Sequence, residues 1–199
     1  MIPPPIKNLA DKLSELPSIG PRQAIRLAFH IASWESDAVS VFARTLLDLQ
    51  NIKPCRQCFL NHQNEGELCG ICSNEKRRAD LLAIVEKETD LMSLEKSGAF
   101  GGRYFIIGDL KRGGVLDEYQ KTRLIALKTG IKKMPSGICE EIILAINPTT
   151  YGDLSSAIIA RELSGYTKKI SRLGRGIPTG GEIEFADEET MKQAIERRT

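Results

Sequence analysis

A chain of 199 residues, 41% hydrophobic and 27% charged, is about 1.3 times a ~150-residue domain, which allows one medium domain joined to a small module. The net charge of +2, from 28 basic and 26 acidic residues, neither requires nor excludes a nucleic acid, so the distribution of charge must decide. No apolar run approaches the ~20 residues of a membrane helix, and the opening MIPPPIKNLADKL carries neither the apolar core of a signal peptide nor a lipidation signal; a cytoplasmic protein with no membrane role is expected.

The chain reads as four parts: a helical module over 1–54, a cysteine-rich insert over 55–78, an alternating strand and helix region over 79–175, and a strand–helix segment over 176–199. Pro3–Pro5 argue against a helix before Asn8, which can cap one bearing Leu9, Leu13 and Leu16 on a single stripe. Leu16-Pro17-Ser18-Ile19-Gly20-Pro21 breaks that helix, and Pro21 suits the first turn of a second. Ala24, Ile25, Ala28 and Ile31 give the second helix an apolar face. A third starts at the cap Ser36, with Val39, Phe42, Leu46 and Leu49 in line.

Beyond the cysteines, Leu81–Glu86, Arg103–Gly108, Glu141–Ile146 and Lys169–Leu173 read as strands. Between them, Asp90–Ser97, Asp117–Thr129 (ending at Gly130) and Gly152–Leu163 read as helices. The alternation predicts an α/β fold with a mostly parallel sheet covered on both faces. Glu182–Phe185 is expected as an edge strand, and Asp187–Arg198 as a final helix with acids first and Arg197 and Arg198 last. Charge is segregated near this end. Residues 160–178 hold Arg161, Lys168, Lys169, Arg172 and Arg175 against Glu162 alone, whereas residues 182–189 hold five acids and no base.

Cys55-x2-Cys58-x10-Cys69-x2-Cys72 is the most specific signal. Each CxxC puts two thiolates on one knuckle, and two knuckles complete a tetrahedral sulfur site with no open position for water. A structural zinc, one per chain, is the expected occupant; an iron–sulfur or redox site is the alternative. His62 could replace one ligand, although an exposed loop histidine is the simpler reading. The insert has little apolar core, so the metal must hold it together. Cys139 stands apart, and an odd cysteine count without a secretion signal argues against disulfides.

Leu16–Arg26 resembles the helix-hairpin-helix motif of non-specific DNA-binding proteins, in which a tight hairpin aims backbone N–H groups at a phosphate. Arg22 and Arg26 share one helix face and can neutralise phosphates without reading bases. An ordinary helix pair with solvated arginines is the alternative. Ser18 stands where the motif usually has Gly.

The strand ends carry Glu86, Asp109 and, after the third strand, Asn147 and Asp153. This layout resembles a Toprim domain, which implies a Mg²⁺ site built from a Glu and an Asp-x-Asp pair. The chain has no Asp-x-Asp, and Asn147 is a neutral amide. Thr150-x-x-Asp153 is also close to a helix capping box, a structural role for the same acid.

The order of the modules resembles the RecR family of bacterial recombination mediators over nearly the whole chain. Leu16–Ile31, the Cys55–Cys72 spacing, Leu144–Gly152 and Ser171–Phe185 carry the resemblance. It implies a non-catalytic protein that assembles as a homo-oligomeric ring or clamp on DNA near the nucleoid, a tetramer being one form such a ring could take. It also implies partnership with RecO and RecF in loading RecA at gapped DNA. By the same resemblance Arg22 and Arg26 contact DNA; Cys55, Cys58, Cys69 and Cys72 hold zinc; and Glu86, Asn147 and Asp153 form a Toprim remnant that binds partners. A Gly-His-Leu-Ser-Pro-like loop is usual in the family where this chain has Gly108-Asp109-Leu110-Lys111-Arg112-Gly113-Gly114. The rival reading is a Mg²⁺-dependent Toprim enzyme, a nuclease or primase-like catalyst.

Overall fold

A computed structural model describes residues 2–110, 115–196 and 198. Lys111–Gly114 of the departing loop and Arg197 at the chain's end lie outside the described residues. The chain forms two compact units, one running through Ile52 and the other starting at Lys53.

The first unit holds three helices: α1 (Pro4–Ser14), α2 (Pro21–Ala32) and α3 (Ser36–Asp48). The expectation that prolines delay α1 to Asn8 is corrected. The helix starts at Pro4, because a proline in the first turn gives up only an N–H that has no intrahelical acceptor. The Ile6 and Lys7 amides both close on the Pro3 carbonyl at 3.1 Å. Pairing of α1 with α2 buries Ala10, Ala24 and Ala28, with Ile6, Leu9, Leu13 and Ile19 half-buried around them. Small residues at the seam let the two backbones approach closely. Ile25, expected on this inner face, is exposed.

In the second unit, β1 (Lys53–Pro54) pairs antiparallel with β2 (Asn61–His62), so this hairpin opens the cysteine knuckle. Four longer strands follow: β3 (Arg78–Val85), β4 (Gly102–Ile106), β5 (Cys139–Ala145) and β6 (Thr167–Arg172). They form one sheet in the order β4-β3-β5-β6, and every neighbouring pair is parallel. The connecting helices are α4 (Glu88–Lys96), α5 (Glu118–Lys132) and α6 (Thr150–Leu163). Period-2 alternation sorts the strand side chains onto two faces. Leu82, Ile84, Phe105, Ile142 and Leu144 pack with Leu124, Leu127 and Ile131 of α5 and Ile159 and Leu163 of α6. Ala83, Val85, Tyr104 and Ile106 face Leu91 and Leu94 of α4 and, from the knuckle, Leu60 and Ile71.

Two boundaries differ from expectation for identifiable reasons. Helix α5 runs through Gly130 to Lys132, because Ile131 is buried in the core and anchors the last turn. Residues 183–185 form a 3₁₀ turn rather than an edge strand. The Phe185 amide closes on the Glu182 carbonyl and Ala186 on Ile183, so the backbone is satisfied locally, and both Ile183 and Phe185 are exposed. Helix α7 (Glu188–Glu196) ends the described fold. It buries no residue: Met191 and Ala194 are half-buried and Ile195 is exposed.

Candidate functional site

The four expected metal ligands converge. The Sγ atoms of Cys55, Cys58, Cys69 and Cys72 all lie within 4.8 Å of one another, and all four side chains are buried. A tetrahedral site with metal–sulfur bonds of about 2.3 Å has sulfurs about 3.8 Å apart, so the cluster fits a single ion. None of the four is in a disulfide, and the Cys58 and Cys69 sulfurs sit 3.5 Å apart. The Cys69 amide donates to Cys55 Sγ at 3.3 Å, the kind of bond that stabilises thiolate charge. Sharing of protons with Cys58 and the other thiols pushes Cys55 below the ordinary thiol range, while the same crowding pushes Cys72 above it. Held by this knuckle, Phe59 takes a positive φ of 64°.

His62 is not the exposed loop histidine expected. It is buried in β2, and its Nδ1 accepts from the Asn64 amide at 3.1 Å, which ties down the turn between the cysteine pairs. Cys139 is buried at the start of β5, where burial raises its thiol to about 11, and it takes no part in the cluster.

Around the α1–α2 hairpin, the Ile19 amide closes on the Leu16 carbonyl at 3.2 Å, and Ser18 adopts a φ of 65°. The turn therefore keeps the left-handed residue that the motif normally fills with glycine, at the steric expense of a Cβ. Gly20 precedes α2 with no side-chain cap, which leaves the first amides of the helix open to an anion. Arg22 and Arg26 are exposed, border a shallow depression with Gly20, Pro21 and Gln23, and have no ion-pair partner among the described residues.

The other basic segment is arranged differently. Lys168 pairs with Glu140 at 2.5 Å and Lys169 with Glu141 at 3.0 Å. Arg172 and Arg175 both bond Asp153. Together these guanidinium groups, Arg175 first, hold the Asp153 carboxyl below the usual carboxylate range. The capping role considered for Asp153 is thereby corrected: Thr149 caps α6, its Oγ1 accepting from the Gly152 amide at 3.0 Å. The cap sits one residue earlier than the Thr150 pattern implies.

Glu86 ends the turn after β3. Its Oε1 accepts from the Leu110 amide at 3.0 Å and its Oε2 from Asn147 Nδ2 at 3.2 Å, so the structure brings Glu86 and Asn147 together. Gly152 lets α6 approach this corner, because a Cβ there would collide with the Asn147 carbonyl oxygen. The corner borders a cleft of about 350 Å³ lined in part by Asp90, Ser93, Asn147, Arg172 and Arg175. Asp109 is exposed in the loop after β4. Among the described residues, the four cysteines form the one group of three or more such side chains able to share an ion; Glu86, Asp109 and Asp153 do not form another.

Sequence reasoning misses Arg123. The guanidinium of this α5 arginine lies over the Phe59 and Tyr119 rings, 4.4 and 4.3 Å from their centroids. No pattern flags it, because an arginine on an amphipathic helix normally faces water.

Residues 6–49 match the family described as RecR, helix-hairpin-helix; residues 80–174 match the Toprim domain; and residues 176–199 match RecR, C-terminal. A Recombination protein RecR of Thermus thermophilus is 37% identical over 197 residues, covering 98% of this chain and 97% of that one. Its counterpart in Frankia casuarinae is 34% identical over 197 residues, covering 97% and 95%. One from Dehalococcoides mccartyi is 34% identical over 195 residues, covering 97% and 93%. At this identity, over nearly full length on both sides, the chain belongs to the RecR family of recombination proteins.

Proposed function

We propose that this protein is a non-catalytic, DNA-binding mediator of recombinational repair, acting in the bacterial cytoplasm at the nucleoid as an oligomeric clamp or scaffold. In this reading it works with RecO and RecF to help load RecA at gapped DNA. In this reading the chain comprises a helix-hairpin-helix module over 1–54, a zinc finger over 55–78, a Toprim-like domain over 79–175 and a C-terminal segment over 176–199. The observation that carries the reading is the contrast between two sets of basic side chains. Arg22 and Arg26 carry no acidic partner among the described residues, whereas Lys168 and Lys169 each pair with a glutamate and Arg172 and Arg175 share Asp153. Phosphate binding therefore falls to the α2 face.

Zinc is the metal assigned to the four cysteines, because a closed all-thiolate tetrahedron favours a soft, redox-inert ion. When bound, it supplies a cross-link and no chemistry. Glu86, Asn147 and Asp153 serve partner binding. Asp153 is paired with two arginines, both Glu86 oxygens are occupied by amide donors, and the two acids do not share one site, so the dense negative charge that two-metal catalysis needs is not assembled among the described residues. Self-association is supported by α3 and the turn after it, where Val39, Phe42, Leu46 and Leu49 all remain exposed in the chain.

The test is an assay for cleavage or synthesis on gapped DNA with Mg²⁺ or Mn²⁺, alongside elemental analysis. About one zinc per chain, DNA binding and no turnover support the reading. Turnover abolished by Glu86→Ala or Asp153→Ala would establish the enzyme instead.

A further inference from the structure

Arg123, on the buried face of α5, is 9% exposed and makes no ion pair among the described residues. Burial lowers its pKa, so the guanidinium is held at some expense. Its Nε is buried without a partner. What it does have is a set of contacts to three parts of the fold. The guanidinium lies over both the Phe59 and the Tyr119 rings, with Nη2 bonded to the Tyr119 hydroxyl. Nη1 donates to the Ile106 carbonyl at 2.7 Å.

Each contact leads somewhere specific. Phe59 follows Cys58 directly, and the Cys58 carbonyl accepts from the Ile106 amide at 3.0 Å. The amide of Ile106 is thus held by the cysteine knuckle and its carbonyl by Arg123. Tyr119 packs over Gly108, where φ is 98° and a Cβ would lie 3.2 Å from the ring. One residue along α5, Gln120 Nε2 donates to the Asp109 carbonyl at 2.6 Å. The next amide, Leu110, holds Glu86, which in turn holds Asn147. An unbroken run of bonded groups therefore joins the metal knuckle to the Glu86–Asn147 corner.

We propose that Arg123 is a positioning residue keying the four-cysteine knuckle to loop 107–110, so that metal occupancy of the knuckle sets how Glu86 and Asn147 are presented. The inference rests on the reading of the cysteines as a metal site. The metal-loaded knuckle fixes Phe59 against the guanidinium. Without the metal, the knuckle loses its cross-link, Phe59 leaves Arg123, and a buried cation is left with one aromatic face and one carbonyl. The guanidinium then turns toward water and releases Ile106 and the loop beyond it. Coupling of this kind is reciprocal: damage at the Glu86 end weakens metal binding by the same factor.

The experiment is amide hydrogen exchange on the full chain, with zinc content measured on the same samples. In the wild type, chelation should raise exchange at Gly108–Leu110 as well as within 55–72, by about 10-fold or more. Zinc-loaded Arg123→Met should show the raised exchange at 108–110 while retaining its metal, and chelating it should add no further change there. Phe59→Leu repeats the test from the other side of the stack if Arg123→Met fails to fold. In competition with a chromophoric chelator, Glu86→Ala should bind zinc about 5-fold or more weakly, which a merely structural arginine would not produce. Protection at 108–110 that ignores zinc removal in a chain shown to bind zinc would overturn the relay alone. A chain that takes up no zinc would overturn the metal reading first, and the relay with it.

Discussion

The two units use amphipathic elements to different ends. In the sheet unit, Ile84, Phe105, Ile142 and Ile159 are wholly buried, each against a residue of the same chain. In the N-terminal unit, α3 and the turn that follows it carry an apolar stripe and bury none of it: Leu46 is 53% and Leu49 62% exposed. The internal contacts of this helix near its start are aromatic, with Trp34 edge-on to Phe42 at 5.5 Å and to His30 at 5.8 Å. Hydrophobic periodicity reports that a face will be covered. It does not report by whom. One unit completes its core alone, and the other leaves an apolar face uncovered within the chain.

Truncation should separate the two regions most sharply. Ile84→Ala should cost about 3–4 kcal/mol of stability, because the close-packed sheet core cannot collapse onto the cavity. Leu46→Ala at low protein concentration should cost less than about 0.5 kcal/mol yet shift light scattering toward smaller species. Equal losses at the two sites would mean that α3 is buried within its own chain.

A smaller effect is expected at Asp153. Its carboxyl is depressed by Arg175 and Arg172, so the stabilisation is present above the unfolded carboxylate range and disappears as pH falls through the lowered folded value. Asp153→Asn should therefore be less stable than wild type at pH 7, by about 1 kcal/mol or less for this partly exposed cluster, and the difference should shrink in acid as the lowered folded value is passed. A difference that persists unchanged in acid would show that the arginines do not act through the charge of Asp153.

At the small end lies Ser18, the left-handed residue of the hairpin. Ser18→Gly should stabilise the first unit by about 1 kcal/mol at most, read as a raised denaturation midpoint with DNA binding unchanged. A loss of stability would mean that the serine hydroxyl does more for the turn than its Cβ costs.

Much of this arrangement is legible in the sequence, where local chemistry decides. The CxxC pairs meet because the metal site demands it, and four apolar runs with helices between them become a parallel sheet with both faces covered. Errors arise where the deciding partner is remote. Ile183 and Phe185 alternate like a strand, yet no sheet edge receives them. The 160–178 segment reads as a cationic patch, but Glu140, Glu141 and Asp153 come to it from other elements. Arg123 looks solvated on a helical wheel and is buried because Phe59, 64 positions earlier in the chain, stacks on it. The proline start of α1 is a different case: the local rule was available, and it favoured the helix.

The central claim is that the unpaired arginines of α2 hold DNA and that self-association multiplies their few contacts. Two phosphate contacts per chain give a salt slope of only about −2 on duplex DNA, too shallow for useful affinity at physiological salt unless several copies act together. The direct measurement is DNA affinity across a salt series, with oligomer size by light scattering, for wild type and Arg22→Ala with Arg26→Ala. The account predicts that the double variant keeps the wild-type oligomer and loses DNA binding, while deletion of residues 187–199 weakens both. Wild-type binding by the double variant would contradict it.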